Sequence, residues 1–244
     1  MDTAKLFQKF RQSLPRSQKA MEYCKKRGLE PSVLEMGYNS GKIHSHARNC
    51  IIFPLKNNLG SVVDYYGNSI NGSVNKHYYN TGRKGLYPCY PPPETKKLIL
   101  TEAIIDAATL LQMKQISQDY QILSCFGTNG LNGEHTKAVI GLGGLEEIIF
   151  AFDGDQAGQN AVYGYTNDKG QYRKGHSEML KELLPGVKIS ALTLPEDEDI
   201  NSLHQMYDNP DYFIHLLGER KEIELPAREQ KSEGAGEPEQ KARQ

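Results

Sequence analysis

The chain has 244 residues, with 29 Lys+Arg against 30 Asp+Glu and a formal net charge of −1. That balance hides a polarity: residues 1–100 carry 16 Lys/Arg against 6 Asp/Glu, a net of +10, and residues 101–244 carry 13 against 24, a net of −11. No apolar run approaches the ~18 residues of a membrane span, and the segment MDTAKLFQKFRQSLPRSQ lacks the apolar core of a signal peptide, which excludes membrane and secreted classes and predicts a cytoplasmic protein. The four cysteines, Cys24, Cys50, Cys89 and Cys125, lie 26, 39 and 36 residues apart. Those gaps suit neither a zinc ribbon nor a disulfide scaffold, so reduced thiols are expected. A basic half joined to an acidic half points to a polyanion and a cation as partners.

In chain order, Ser17–Gly28 has helical apolar spacing at Ala20, Tyr23 and Cys24, cations in its last turn and Gly28 as a C-cap. Residues 50–66, CIIFPLKNNLGSVVDYY, predict two strands joined by a turn at 56–60, and Tyr78–Tyr79 starts another short strand. Pro91-Pro92-Pro93 then interrupts regular structure. Beyond it, strands are expected at Lys97–Thr101, Gln121–Cys125, Glu147–Phe152 and Val187–Leu194. Helices are expected near 104–113, 134–142, 157–163 and 176–184, with a short one from Asn201. The glycine- and asparagine-rich segment FGTNGLNG (126–133) and the polar insertion TNDKGQYRKG (166–175) read as loops. Strand–helix alternation of this kind implies an α/β fold with a parallel sheet and crossover helices. The division expected is therefore a basic mixed α/β subdomain over 1–95, an α/β domain over 96–217, and a disordered tail over 218–244, whose polar Glu/Lys/Gln composition buries no core.

Ligands of open parallel sheets gather at the carboxyl ends of the strands. In this sequence those ends read Glu102, then Asp153 and Asp155, then Glu196-Asp197-Glu198-Asp199, and Asp106 lies one helical turn after Glu102. Each piece alone is ordinary: a lone Glu is usually a cap, Asp-Gly-Asp is usually a turn, and an acidic run is usually a solvated loop. Their placement after three separate strands singles them out, and hard oxygen donors converging on one spot suit Mg2+ or Mn2+. An EF-hand at Asp153 fails, since its fifth and twelfth positions would be Ala157 and Gly164. An Asp-nucleophile phosphohydrolase would leave Glu102 without a role. His44, His46 and Cys50 read as a surface loop rather than a metal site. In the basic half, residues 75–85 (NKHYYNTGRKG) interleave Lys76, Arg83 and Lys84 with Tyr78 and Tyr79. Such a pattern suits single-stranded nucleic acid, although two adjacent tyrosines on a strand equally suit alternation between core and surface.

LILTEAIIDAATLLQ, with Glu102 and Asp106, resembles the first motif of a Toprim domain, and IIFAFDGDQAGQNA, with Asp153 and Asp155, resembles the second. CFGTNG resembles the Gly-Thr loop of bacterial DnaG-like primases, and PEDEDINSL resembles their final acidic motif. AMEYCKKRGLEPSVLEMGYNSG, IIFPLKNNLGSVVDYYG and KHYYNTGRKGLYPCY resemble the amino-terminal subdomain of the primase catalytic core, so the likeness runs from about Ala20 to Met206. It implies a Rossmann-like Toprim domain that joins ribonucleotides into short RNA primers on single-stranded DNA, using NTPs and Mg2+ or Mn2+. Glu102 becomes the acid/base or metal-binding glutamate, Asp153 and Asp155 metal ligands, and Asp106 and Asp199 the rest of the acidic patch. Lys76 and Lys84 fall where the family keeps lysines near nucleotide and template, Arg83 and Tyr78 join them as nucleic-acid-binding candidates from the basic-aromatic pattern, and a replicative or mobile-element helicase is an implied partner. Three departures stand out: Asn201 replaces a usual Asp, and Asn68 and Cys50 replace usual arginines. The family's zinc-binding module has no counterpart in the sequence, so no structural zinc is expected. A Toprim nuclease or nickase, and a non-catalytic nucleic-acid-binding module of a mobile-element replication complex, are the alternatives. A topoisomerase would need a strand-passage domain that this length does not house.

Overall fold

A computed structural model of the protein describes residues 2–72, 76–80 and 82–224. The chain opens with a helix that the sequence reading left without an element, α1 (Thr3–Ser13), which buries Leu6, Phe7 and Phe10 on one stripe. A 3-10 turn, Leu14–Arg16, leads into α2 (Gln18–Lys26), where the Ser17 hydroxyl accepts from the Ala20 amide as the N-cap. Strands β1 (Gly37–Asn39), β2 (Cys50–Lys56), β3 (Val62–Ser69) and β4 (His77–Tyr79) form an antiparallel sheet in that order. The β2–β3 hairpin falls where its turn residues place it, since the Asn57 side chain accepts from the Leu59 and Ser61 amides and Gly60 takes a positive φ of 75°. Helix α1 lies across this sheet, with Phe10 edge-on to Tyr65 at 5.7 Å. It passes so close to β1 that a Cβ on Gly37 would sit 2.6 Å from the Phe10 carbonyl carbon.

The remainder alternates as expected: β5 (Lys97–Thr101), α3 (Ile104–Leu111), α4 (Lys114–Ser117), β6 (Gln121–Ser124), α5 (Gly133–Ile140), β7 (Glu147–Ala151) and α6 (Gln156–Tyr163). After them come β8 (Tyr165–Thr166), β9 (Tyr172–Arg173), α7 (His176–Leu183), β10 (Lys188–Ala191), α8 (Ile200–Tyr207), α9 (Pro210–Gly218) and β11 (Lys221–Glu222). The sheet order is β11-β10-β7-β5-β6; β10, β7, β5 and β6 run parallel, and β11 closes one edge antiparallel. Successive residues feed opposite cores, as a doubly covered parallel sheet requires. Leu98, Leu100, Ile148 and Phe150 face one cluster, while Ile99, Ile149 and Ala151 face the other. From β5 the chain passes first to β6 on one side and then to β7 on the other. The topological switch point, where open α/β sheets bind their ligands, therefore lies at the carboxyl ends of β5 and β7.

Two features replace expectations. The insertion read as a loop over 166–175 is a small hairpin, β8–β9, because Asn167 and Gly170 supply a tight turn whose side-chain acceptor holds the Lys169 and Gln171 amides. The tail expected from Gly218 is ordered through Glu224. Pro210 opens α9, which buries Phe213 and Leu217, and the Arg220 guanidinium then grips buried Glu147 through two bonds of 2.8 Å. Burial opposes ionisation of Glu147, yet bonds from Arg220 and Ser190 hold its carboxyl down at about 2. The rest of that expected tail, residues 225–244, lies outside the described residues. Among the described residues no helix is long and apolar enough to cross a membrane.

One apolar cluster runs through both sheets, joining Ile51, Phe53 and Tyr66 to Ile99, Ile149 and Phe213. Polar contacts pin the same junction. Fully buried Asn201 donates its amide to the Arg27 carbonyl and the Thr109 hydroxyl, each at 2.8 Å. Gln112 donates to the Gly28 carbonyl at 2.6 Å and accepts from the Glu30 amide at 3.0 Å. Replacing Asn201 by Asp sets acceptor against acceptor at Arg27 and leaves a buried carbonyl unsatisfied. Asn201→Asp is therefore expected to lower unfolding free energy by about 1–3 kcal/mol in urea titration; unchanged stability would remove Asn201 from the junction.

Candidate active site

Three strand ends meet at the switch point because glycines let backbones approach. Asp153 follows β7 by two residues, and a Cβ on the following Gly154 would lie 1.9 Å from the Pro195 carbonyl oxygen, so only glycine brings the acidic loop after β10 this close. The Gly154 amide donates to the Glu198 carbonyl at 2.8 Å and completes that junction. Gly158 likewise lets α6 start directly against the Asp153 backbone, where a Cβ would meet the carbonyl oxygen at 2.3 Å. On the other side, the Cys125 and Gly127 amides donate to the Thr101 and Glu102 carbonyls at 2.8 Å, seating the loop after β6 beside Glu102.

Glu102, Asp106, Asp153 and Asp199 line one wall of a cleft of about 680 Å3 between the two sheets. Burial, with the charges of Asp153 and Asp155, pushes the Glu102 carboxyl up to about 7. Burial, with the charges of Asp199 and Asp155, pushes Asp153 up to about 7 as well. Asp106 is enclosed, accepts from the Asn201 amide at 3.1 Å, and is raised well above the carboxylate range by burial and by Asp199 and Asp153. Asp155 adds its charge from outside the lining, since its carboxylate caps α6 by accepting from the Gly158 amide at 2.7 Å. Asp199 caps α8 in a reciprocal box with Ser202 while still facing the cleft. Asn201 is fully engaged at the subdomain junction, so its amide belongs to the fold rather than to the acidic wall.

The facing wall divides the basic-half candidates. Lys76 and Arg83 line the cleft, and the Arg83 guanidinium lies 4.5 Å from the Tyr79 ring centroid. Lys84 is exposed outside the lining, its backbone amide bonded to Asp64 at 3.3 Å. Alternation along β4 sends His77 and Tyr79 into the cleft and turns Tyr78 the other way, against His46 and the core under α1. Cys50 is buried in that same core, and His46 is bonded to the Tyr79 carbonyl at 2.8 Å. The sequence reading missed a hydrogen-bonded run across this wall. The Tyr23 hydroxyl donates to Asn68 at 2.8 Å, the Asn68 amide reaches the Tyr66 hydroxyl at 3.1 Å, and that hydroxyl meets His77 Nδ1 at 2.6 Å. Period-two spacing of Tyr66 and Asn68 on β3, opposite His77 on β4, was the available signal.

With this geometry in view, comparison with known proteins defines the class: residues 99–204 match the Toprim-like family model, and the chain carries a Toprim-like domain. As a whole it resembles the catalytic core of DnaG-like primases. The DNA primase of Buchnera aphidicola is 27% identical over 187 residues, covering 72% of this chain and 29% of that protein. The DNA primase of Haemophilus influenzae is 23% identical over 256 residues, covering 87% and 39%. The chain thus spans well under half the length of these curated relatives. Among solved structures, the DnaG primase catalytic domain bound to single-stranded DNA matches with a TM-score of 0.64 at 17% identity, over 90% of this chain and 78% of that one. The Escherichia coli primase catalytic core matches with a TM-score of 0.64 at 17% identity, over 90% and 79%. These structural likenesses establish the fold, an α/β Toprim domain preceded by a mixed α/β subdomain.

Because the Gly154–Pro195 approach leaves no room for a methyl group, Gly154→Ala is expected to push Asp199 away from Asp153. Stabilisation of the protein by Mg2+ in thermal melts should then be lost; an undiminished Mg2+ response would show that the approach does not build the acidic wall.

Proposed function

We propose that the chain is a primase-type nucleotidyltransferase core that makes short RNA primers on single-stranded DNA. The observation that carries this reading is the acidic wall at the switch point facing a wall of cations and aromatic rings across one cleft. In this reading residues 1–95 act as the basic subdomain that holds template and nucleotide phosphates, and residues 96–217 act as the catalytic Toprim domain.

The acidic donors suit a divalent cation. Glu102 Oε2 is buried with no hydrogen-bond partner; the charges of Asp153 and Asp155 raise the proton affinity of Glu102, and those of Asp199 and Asp155 raise that of Asp153, a crowding of carboxylates that a cation would relieve. No three His, Cys, Asp or Glu side chains among the described residues form a ready cage. Mg2+ does not need one, since it keeps several waters and takes one or two carboxylates plus substrate phosphates. Glu102 and Asp153 would hold it, with Asp155 adding charge from behind, and Mn2+ suits the same oxygens. Bound there, the metal would neutralise charge on the reacting phosphate.

The chain's own groups would do the rest. As an alternative to holding the cation, Glu102, with an affinity near neutrality, would accept the proton from the attacking 3′-hydroxyl. Asp106 would position α8 through the Asn201 amide. Lys76 and Arg83 would hold template or triphosphate oxygens, while Tyr79 and His77 offer faces for bases. The cleft's partners would be NTPs and the single strand. A helicase is a partner by analogy with the primase relatives, and a cytoplasmic location follows from that role.

The decisive experiment incubates the protein with labelled NTPs, single-stranded DNA and Mg2+ or Mn2+, beside Glu102→Gln. Short RNA products that fall at least about 100-fold in the variant are expected. Cut DNA would instead indicate a nuclease, and binding with neither product a non-catalytic module. A pH test is independent of turnover. Glu102 and Asp153 bind protons more tightly folded than unfolded, where carboxyls sit at about 4. Their stability contribution is therefore present below about pH 4 and lost as pH rises through 7. Metal-free Asp153→Asn is expected to melt higher than the wild type at pH 8, by roughly 2–4 °C per kcal/mol recovered, but not at pH 4. Mg2+ should raise the melting temperature of the wild type alone. A variant that melts no higher than the wild type at pH 8 would contradict the mutual repulsion.

A further inference from the structure

The β8–β9 hairpin is an island in the acidic half. Residues 163–175, YGYTNDKGQYRKG, carry Lys169, Arg173 and Lys174 against Asp168 alone, within a 144-residue stretch whose net charge is −11. Three tyrosines stand exposed on it: Tyr163 at 45%, Tyr165 at 44% and Tyr172 at 56% of full exposure. Exposed rings grouped on one short element mark interaction surfaces, where rings scattered singly do not.

The register decides which of them are available. Tyr165 pairs with Arg173, so their side chains share one face, and Thr166 pairs with Tyr172 on the other. Tyr172 leans back onto the helices, its hydroxyl donating to Glu178 at 3.0 Å, and Lys174 is taken by Glu182 at 2.7 Å. Tyr165 and Arg173 are left side by side on the outer face, an aromatic surface beside an exposed guanidinium, with Lys169 exposed at the tip. The turn is already set by bonds from the Lys169 and Gln171 amides to Asn167, so little ordering remains to be done on binding.

The hairpin is also tied to the loop that borders the cleft. It leads directly into α7, whose first residue, His176, donates from Nε2 to the Thr128 carbonyl at 2.7 Å. Thr128 follows Gly127, which lines the cleft beside Glu102. A strand leaving the cleft past the loop after β6 would therefore run toward the element that carries Tyr165 and Arg173.

We propose that the β8–β9 hairpin is a second single-strand contact, in which Tyr165 stacks on a base while Arg173 and Lys169 pair with phosphates, outside the catalytic cleft. Stacking platforms flanked by cations bind single strands without sequence preference, and the local positive charge complements a strand that the surrounding acidic surface would repel. The proposal rests on the cleft being where the strand enters.

The test compares oligothymidylates of about 8 and about 24 nucleotides, spanning one cleft and cleft plus hairpin respectively, by fluorescence anisotropy on the full chain. The wild type is expected to bind the longer one more tightly. Tyr165→Ala/Arg173→Ala should weaken binding of the longer strand about tenfold and flatten its salt dependence by about 0.7 in log–log slope per lost phosphate contact. It should leave the shorter strand unaffected, and Tyr165→Phe should keep the affinity. Wild-type affinity for the longer strand in the double variant, or equal losses for both lengths, would overturn the hairpin contact. Lys76→Ala/Arg83→Ala separates the two claims: if it leaves the shorter strand bound as before, the cleft reading fails, whatever the hairpin does.

Discussion

The constraint on which the rest of this structure turns is the repulsion between carboxylates that the fold forces together. Glu102 and Asp153 are half-buried, each pushed up to about 7 by burial and by its acidic neighbours, and a backbone hydrogen bond from Asp153 relieves Glu102 only in part. An arrangement of this kind persists only if the surrounding scaffold over-determines it. That scaffold is a parallel sheet covered on both faces, with Leu98, Leu100, Ile148 and Phe150 on one side and Ile99 and Ile149 on the other. Backbone bonds from Gly127 to Glu102 and from Gly154 to Glu198 then fix the loops that the sheet carries. The sheet supplies stability, and the loops spend part of it on holding those carboxylates together.

The same constraint explains the split in charge. In the proposed reading, whatever holds phosphates must lie on a separate element, since an acidic wall alone would repel them. Here that element is the antiparallel sheet, whose Lys76 and Arg83 face the carboxylates across the cleft. The two walls must hold their spacing for the cleft to have a defined width. A shared apolar cluster, together with Asn201 and Gln112 bridging to the carbonyls that end α2, keeps them there. Asn201 is the instructive case. Read as a sequence, it looks like an acidic motif short of one charge. In the fold it supplies two donors that a carboxylate lacks, and its backbone amide neutralises part of the buried Asp106.

Strand ends and glycine spacing made most of the acidic wall legible. Period and propensity place β5, β7 and the residue after each, and the Asp-Gly-Asp-x-x-Gly spacing carries its own steric reason. Three features were out of reach. Helix α1 has only Leu6, Phe7 and Phe10 as its apolar stripe, and nothing local distinguishes that from a polar leader until a sheet exists for it to cover. Side-chain direction on β4 was equally hidden, because a three-residue strand can be phased either way. Only pairing with β3 turns Tyr78 inward to the α1 core and His77 and Tyr79 toward the cleft. The order of residues 218–224 depends on Glu147, more than seventy positions away in sequence, and so had no local signal at all.

The composition of the facing wall bears on how a strand would be held. Arg83 lies over Tyr79, and Tyr79 packs against Tyr66 and Phe126, at 5.2 and 5.9 Å between ring centroids. An arginine stacked on a ring is restricted in direction, and its flat guanidinium presents an extended face rather than a free point charge. Tyr66 in turn is fixed by Asn68 and His77, so the ring ladder cannot easily reorganise. A wall of this kind favours planar groups over bare phosphates, because stacking gains little from added charge while phosphate pairing depends on it. Affinity in the cleft should therefore lean more on bases, and less on salt, than the +10 of the basic half would suggest on its own. Several of those cations, Lys84 among them, lie outside the cleft altogether. In the proposed reading they would act through the long-range field that draws a polyanion toward the molecule, while the ring ladder and the carboxylates would decide what is done with it.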